Sequence, residues 1–283
     1  MKIIRIIPRL DIKGPNLVKG IHLEGLGVLG KPEDFAKYYY ENGADELFYQ
    51  DVVASLYERN SLDEIISATA KRSFIPLTVG GGIRTIQDIK QALRVGADKV
   101  CINTSAIKNP NFIREASRKF GSSTIVVAIE AIKQPNGDYF AFIDNGREET
   151  GREVIAWAKQ VQELGAGEIV ITSVDMEGTG KGMELSLTKR INDALEIPVI
   201  AHGGIGKMEH VKEIIEDAHV DAVAIASILH YDFIANKMSN MENRTEGNVS
   251  FLNSGRITYG KIEPHDLMEI KTYLKQHNIN CRK

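Results

Sequence analysis

Cysteine is nearly absent: Cys101 and Cys281 are the two thiols in 283 residues. Two such thiols make neither a disulfide framework nor a metal-ligand spacing, and they fit a reducing cytoplasm. No metal or other cofactor is expected. Neither sign of charge dominates, with 35 basic and 38 acidic residues and no dense Lys/Arg block. Nucleic acid is therefore a poor candidate for the main ligand. No stretch approaches the roughly 18 apolar residues that span a membrane, so no membrane role is expected. The N-terminal "MKIIRIIPRLDIKG" stops at Asp11, too short for a signal peptide, and reads as a first strand.

What remains is an ordinary globular composition, 43% hydrophobic and 26% charged. Strand-like runs recur at 2–11, 45–52, 75–80, 99–104, 124–131, 168–174, 197–202 and 221–227. Between them lie amphipathic segments such as "TIQDIKQALRVG" and "REVIAWAKQVQELG", several ending in glycine: Gly43, Gly96, Gly121 and Gly165. A glycine there suits a helix C-terminus that needs positive φ. Eight strand–helix units predict one (β/α)8 TIM barrel of the α/β class, with an open doubly wound sheet as runner-up.

The barrel is favoured because the chain repeats itself. "IPLTVGGGIRT" (75–85) returns as "IPVIAHGGIGK" (197–207), "GADELFYQDV" (43–52) as "GAGEIVITSV" (165–174), and "DIKGPN" (11–16) as "EAIKQPN" (130–136). Half-barrels of about 1–120 and 121–240 related by a pseudo-twofold axis follow, as in a duplication. A polar segment, 235–264, lies outside the repeat and reads as a long loop at the active-site face before the C-terminal helix, a lid, a partner contact or a dispensable insertion.

Residues just past barrel strands line the catalytic mouth. They include Gly81 and Gly82 with Asn103 and Thr104 in one half, and Gly203 and Gly204 with Ala226 and Ser227 in the other. "DMEGTGKG" (175–182), with Gly178 and Thr179, adds a third such turn. Glycines let backbone N–H groups approach an anion, so two cradles suit a substrate with a phosphate at each end. Asp11 and Glu130 end corresponding strands and can divide acid and base roles; alternatively each caps a loop or pairs with Lys13, Lys19 or Lys133. At the strand starts, Arg5, Glu46, Lys99 and Glu168 predict a charged ring. It is either a structural salt-bridge layer or a gate for something small.

With these residues in place, "LDIKGPNLVKG", "TVGGGI", "GADKVCINTSA", "FGSSTIVVAIEA", "GAGEIVITSVDMEGTGKG" and "GGIGKMEH" make the chain resemble the cyclase subunit of imidazole glycerol phosphate synthase, a barrel of histidine biosynthesis. The resemblance implies a heterodimer with a glutaminase docked on the barrel floor, contacted by Asp98. It also implies that ammonia passes the Arg5–Glu46–Lys99–Glu168 gate. At the mouth, ammonia would meet a bisphosphorylated, nucleotide-like phosphoribulosyl-formimino substrate, giving imidazole glycerol phosphate and aminoimidazole carboxamide ribonucleotide. Asp11 matches the family's acid, which leaves Glu130 as base. Lys19 matches a substrate-closing lysine on a mobile first loop, and Asp51 a polar residue of the pocket floor. Phosphate positions fall on Gly82, Asn103 and Thr104, and on Gly178, Gly204, Ala226 and Ser227.

There are departures. Glu130 and Glu177 stand where the family has Asp, Gly27 where it has Arg, and His202 where it has a small residue. They suggest a paralogue and raise two alternatives. One is an ammonia-channelling partner of a sugar amidotransferase that forms acetamidino sugars for surface polysaccharide. The other is a non-catalytic scaffold that activates a glutaminase.

Overall fold

The computed structural model describes residues 2–54, 62–236 and 261–282. Eight parallel strands close a barrel: β1 (Arg5–Lys13), β4 (Leu47–Asp51), β5 (Leu77–Gly80), β6 (Lys99–Ile102), β7 (Ile125–Lys133), β10 (Glu168–Ser173), β11 (Val199–His202) and β12 (Ala222–Ile225). β12 returns to β1, and β10 pairs with both β7 and β11, so the ring has no edge. The eight expected strands all form. Helices pack outside: α1 (Pro32–Glu41), α2 (Asp63–Ala70), α3 (Ile86–Val95), α4 (Thr104–Lys108), α5 (Asn111–Phe120), α6 (Val154–Glu163), α7 (Leu185–Ala194), α8 (Met208–Ala218), α9 (Ser227–Asn236) and α10 (Leu267–Gln276). The large core between helices and strands includes Phe35, Tyr39, Tyr49 and Trp157. Gly43, Gly96, Gly121 and Gly165 all have positive φ, as their helix ends require.

Two antiparallel hairpins were not foreseen. β2 (Asn16–Ile21) and β3 (Glu24–Gly30) extend β1; β8 (Tyr139–Ile143) and β9 (Glu148–Glu153) extend β7. Each turn runs through consecutive residues of positive φ, His22 and Leu23 in one and Asp144, Asn145 and Gly146 in the other. Each hairpin leans on the opposite half. His22 N–H donates to the Glu177 carbonyl at 3.0 Å, and Asn103 Nδ2 donates to the Phe142 carbonyl at 3.3 Å.

The strand starts carry their own repeat. Asp45, Asp98 and Asp221 each accept a backbone N–H from a neighbouring strand or its approach: Ile6 at 2.7 Å, Leu77 at 2.8 Å and Val199 at 3.0 Å. The aspartate that recurs just before these strands, in "GAD" at 43–45 and 96–98 and in "HVD" at 219–221, therefore pins adjacent strands in register, and Asp98, which is exposed, has this structural task. Most of the 235–264 segment lies outside the described residues. Where the chain resumes, Glu263 N–H donates to the Gly206 carbonyl at 2.7 Å, at the mouth beside β11.

Candidate active site

Side chains on a strand alternate faces, so Arg5, Ile7, Arg9 and Asp11 of β1 share one face, and barrel closure turns it inward. At the floor Arg5 reaches Glu46 at 2.6 Å and Glu168 at 2.7 Å, while Lys99 reaches the same two carboxylates at 3.2 and 2.8 Å. The expected ring forms, alternating in sign. Burial works against the Arg5 charge, but Glu168 and Glu46 outweigh it and raise its pKa. Above the ring lies an apolar layer of Ile7, Phe48, Cys101, Val126, Ala128, Val170, Ile200, Ala222 and Ala224.

Over that layer opens a cavity of about 380 Å³. Asp51, Gly81, Gly82, Asn103, Thr104 and Glu130 line it, so the first cradle and one of the two carboxylates come together as expected. At Gly81 φ is +93°, and a Cβ would stand 2.3 Å from the Asp51 carbonyl oxygen, which leaves room only for glycine. Asp51 Oδ1 accepts the Val53 N–H at 3.0 Å. Cations also line this cavity, Arg9, Arg84 and Lys108, none singled out in the sequence.

Asp11 and Glu130 occupy matching places in the ladder. Asp11 pairs with Gln50 on the parallel side and Val18 on the antiparallel side; Glu130 pairs with Thr172 and Phe142 likewise. Their surroundings differ. Asp11 Oδ1 takes a 2.9 Å hydrogen bond and ion pair from Arg9 Nε, both residues being 4% exposed. Asp11 itself is not among the residues that line the cavity. Glu130 Oε2 accepts the Gly146 N–H at 2.9 Å. Burial pushes the Glu130 carboxyl up to about 7, against the pull of Arg9. A group that titrates there can both give and take a proton at neutral pH.

The second cradle has a different state. Gly178, Thr179, Gly203, Gly204, Ala226 and Ser227 gather at the ends of β10, β11 and β12, yet none lines the cavity. A Cβ on Gly178 would lie 2.5 Å from the Gly20 carbonyl of the first hairpin, and one on Gly204 would lie 1.9 Å from the Gly182 carbonyl. Thr179 Oγ1 is spent on the Met176 carbonyl at 2.7 Å. Lys19, expected on a mobile loop, is buried in β2 and ion-paired with Glu177. Glu177 also accepts the Leu23 N–H at 3.0 Å. The first hairpin is thus latched over this side of the mouth. His202 Nδ1 lies 3.3 Å from Arg9 Nη1 and 3.1 Å from Thr172 Oγ1. Burial, then Arg9 and Lys19, push its pKa well down, so the ring is neutral.

Arg9 could have been found, because the alternation that turned Arg5 and Asp11 inward includes position 9. Arg84 and Lys108 carried no such signal. They stand on the loop after β5 and at the end of α4, and only the packing of those loops brings them to one cavity.

Residues 5–235 match the model of the family described as histidine biosynthesis protein. An imidazole glycerol phosphate synthase subunit HisF from Legionella pneumophila is 56% identical over 209 residues, covering 74% of this chain and 99% of that protein. A protein of the same name from Methanocaldococcus jannaschii is 48% identical over 246 residues, covering 80% of this chain and 90% of the other. The span matched by the family model includes the floor ring, both carboxylates and both cradles, and this chain belongs to the histidine biosynthesis protein family.

Proposed function

We propose that this chain is the ammonia-dependent cyclase of histidine biosynthesis. It would convert the phosphoribulosyl-formimino precursor into imidazole glycerol phosphate and aminoimidazole carboxamide ribonucleotide. One observation supports the reading most: Cys101 and Ala128 belong both to the apolar layer above the floor ring and to the cavity wall that holds Glu130. Floor, apolar layer and proton-handling carboxyl follow one another along the barrel. Ammonia is uncharged and crosses an apolar layer far more readily than ammonium, so the layer suits delivery of nitrogen from below. The mouth then supplies Glu130 and Asp11 for proton transfer. Gly81, Gly82, Asn103 and Thr104, with Arg84 and Lys108 nearby, suit one phosphate. Gly178, Thr179, Gly203, Gly204, Ala226 and Ser227 would take the other once the Lys19–Glu177 latch opens.

A glutaminase subunit on the floor would supply the ammonia. Ile3 and Phe74, 56% and 78% exposed, lie at the strand-start end with Asp98, where a docked subunit would cover them. The second reading, an ammonia-channelling partner of a sugar amidotransferase, is favoured by the latched second cradle, because a barrel that only hands on ammonia does not grip a substrate at both ends. The scaffold reading leaves Glu130 and the open cradle without a purpose.

Purified chain with an ammonium salt at raised pH and the bisphosphorylated precursor distinguishes these readings. The cyclase consumes the substrate absorbance, and Asp11→Asn lowers that turnover. Glutaminase binding without turnover would select the sugar-amidating reading.

A further inference from the structure

We propose that His210 is a positioning residue of the second cradle: its imidazole accepts the Gly206 N–H, holds the 203–206 turn at the mouth, and releases it on protonation. The inference rests on the reading of that turn as a phosphate cradle, but its geometry stands independently.

The barrel's own repeat provides the comparison. "GGIRTIQD" (81–88) aligns with "GGIGKMEH" (203–210), so Arg84 corresponds to Gly206 and Asp88 to His210. Each of the latter two is the third residue of its helix, α3 in one half and α8 in the other. In the first half Asp88 Oδ2 accepts the N–H groups of Arg84 at 3.0 Å and Thr85 at 2.8 Å. In the second, His210 Nδ1 accepts the Gly206 N–H at 3.1 Å. The same backbone bond is thus made to a carboxylate behind one cradle and to an imidazole behind the other.

His210 is buried against both turns of the second cradle. Three of its ring atoms stand 3.7–3.9 Å from the place that a Cβ on Gly182 would take. A ring that touches one turn and bonds the other fixes their spacing. That spacing has no slack: Gly182 N–H donates to the Gly204 carbonyl at 2.9 Å, and a Cβ on Gly206 would lie 2.3 Å from the Gly180 carbonyl oxygen. The Gly206 carbonyl accepts the Glu263 N–H at 2.7 Å, so this residue is held on both sides.

An imidazole accepts at Nδ1 only while neutral, with its proton on Nε2; once protonated it turns a second donor toward the Gly206 N–H. A carboxylate keeps accepting to much lower pH. Burial lowers the His210 pKa. Glu213 and Glu209 on its own helix and Glu263 from the resumed chain oppose that shift, and Lys207 adds to it. Lys181 stands on the turn across from the ring. Both cradles are therefore braced at neutral pH, and acid releases the second alone. A substrate with two phosphates is gripped at both ends in the first condition and at one end in the second.

The test is amide hydrogen exchange of the ¹⁵N-labelled full chain, read at Gly206 and Arg84 beside the His210 ring signals. Protection at Gly206 falls with the midpoint at which the ring titrates, while protection at Arg84 does not change there. His210→Leu removes the acceptor and speeds Gly206 exchange by about tenfold at neutral pH, as loss of one buried hydrogen bond allows; Arg84 is unaffected. His210→Gln, whose Oε1 accepts at any pH, restores the protection and abolishes its pH dependence. A side chain that merely fills space produces no such midpoint in one half alone. Gly206 protection that ignores both the ring's titration and His210→Leu overturns the proposal. If His210→Leu does not fold, the profile of the unaltered chain decides, and protection that ignores the ring's titration overturns it. Turnover of the bisphosphorylated precursor is measured in parallel: His210→Leu raises KM by about tenfold and keeps kcat, as loss of uniform binding requires. A KM unmoved while Gly206 loosens overturns the role in substrate binding. Absence of turnover in the unaltered chain sinks the cyclase reading alone, since the exchange measurement needs no activity.

Discussion

The two half-barrels place the same parts at the same strand ends and hold them in different states. In the second half Glu130 opens on a cavity under its hairpin, where the Gly146 N–H and the Asn103 amide bond to it. In the first, Asp11 is bonded to Arg9, and its hairpin is fastened by Lys19 to Glu177. Matching backbone therefore does not imply matching chemistry. One added cation at position 9 and one buried latch turn a near-symmetric mouth into one with distinct ends.

The largest expected effect tests that asymmetry at its active end. Glu130→Gln removes the exchanging proton and lowers ammonium-dependent turnover by roughly 10²–10⁴-fold, the usual contribution of a positioned acid or base. Steady-state kinetics check it, and turnover near the unaltered level would mean that the halves do not differ in the way described.

The same variant has an opposite effect on stability. Burial raises Glu130 from 4.5 to about 7 in the folded chain. Below 4.5 both folded and unfolded chains hold the proton and nothing is lost. Between 4.5 and 7 the folded chain binds more protons, so stability falls as pH rises, by ~3 kcal/mol once both are ionised. Glu130→Gln removes that loss and gains stability over the unaltered chain at pH 8 but not at pH 4, measured by denaturant unfolding. Equal effects at both pH values would contradict it.

Glycine substitutions sharpen the comparison between two positions of positive φ, one with a backbone oxygen pressed against it and one in open space. Gly81→Ala meets the Asp51 carbonyl at 2.3 Å and is strained by positive φ, whereas Gly121→Ala, also at positive φ, meets nothing within 4 Å. The first costs about 3 kcal/mol and the second about 1. Thermal unfolding of the two variants ranks them, and the reverse ranking would refute the close approach.

Helix caps give the smallest expected difference. α3 has a full capping box, Thr85 with Asp88, while α6 in the other half has a single N-cap bond, donated by the Ala156 N–H to Glu153 Oε2 at 2.8 Å. Thr85→Ala costs about 1 kcal/mol and Glu153→Ala less. Chemical denaturation of both shows whether the caps also differ between halves.

Much of this was legible from residues alone. Eight apolar runs marked the strands, and glycines with repeated motifs marked the mouth. The first hairpin was hidden because "NLVKGIHLEGLGVLG" is rich in glycine, and its turn places His22 and Leu23, poor turn formers, at positive φ. The second carried a readable signal in "DNG" (144–146) between two alternating runs. The floor ring was legible because its charges sit at equivalent strand starts. The Lys19–Glu177 pair was not, because its members come from separate turns of opposite halves.

By itself, the order of residues determined that Arg5, Ile7, Arg9 and Asp11 share a face, since alternation is a property of one strand. It also determined that two strand ends would each offer a carboxyl. Only closure of the barrel decided that this face looks inward, that Arg9 spends its Nε on Asp11, and that Glu130 keeps the open cavity. Periodicity is local, whereas which charges pair and which stay available depends on distances across the barrel that no single segment contains.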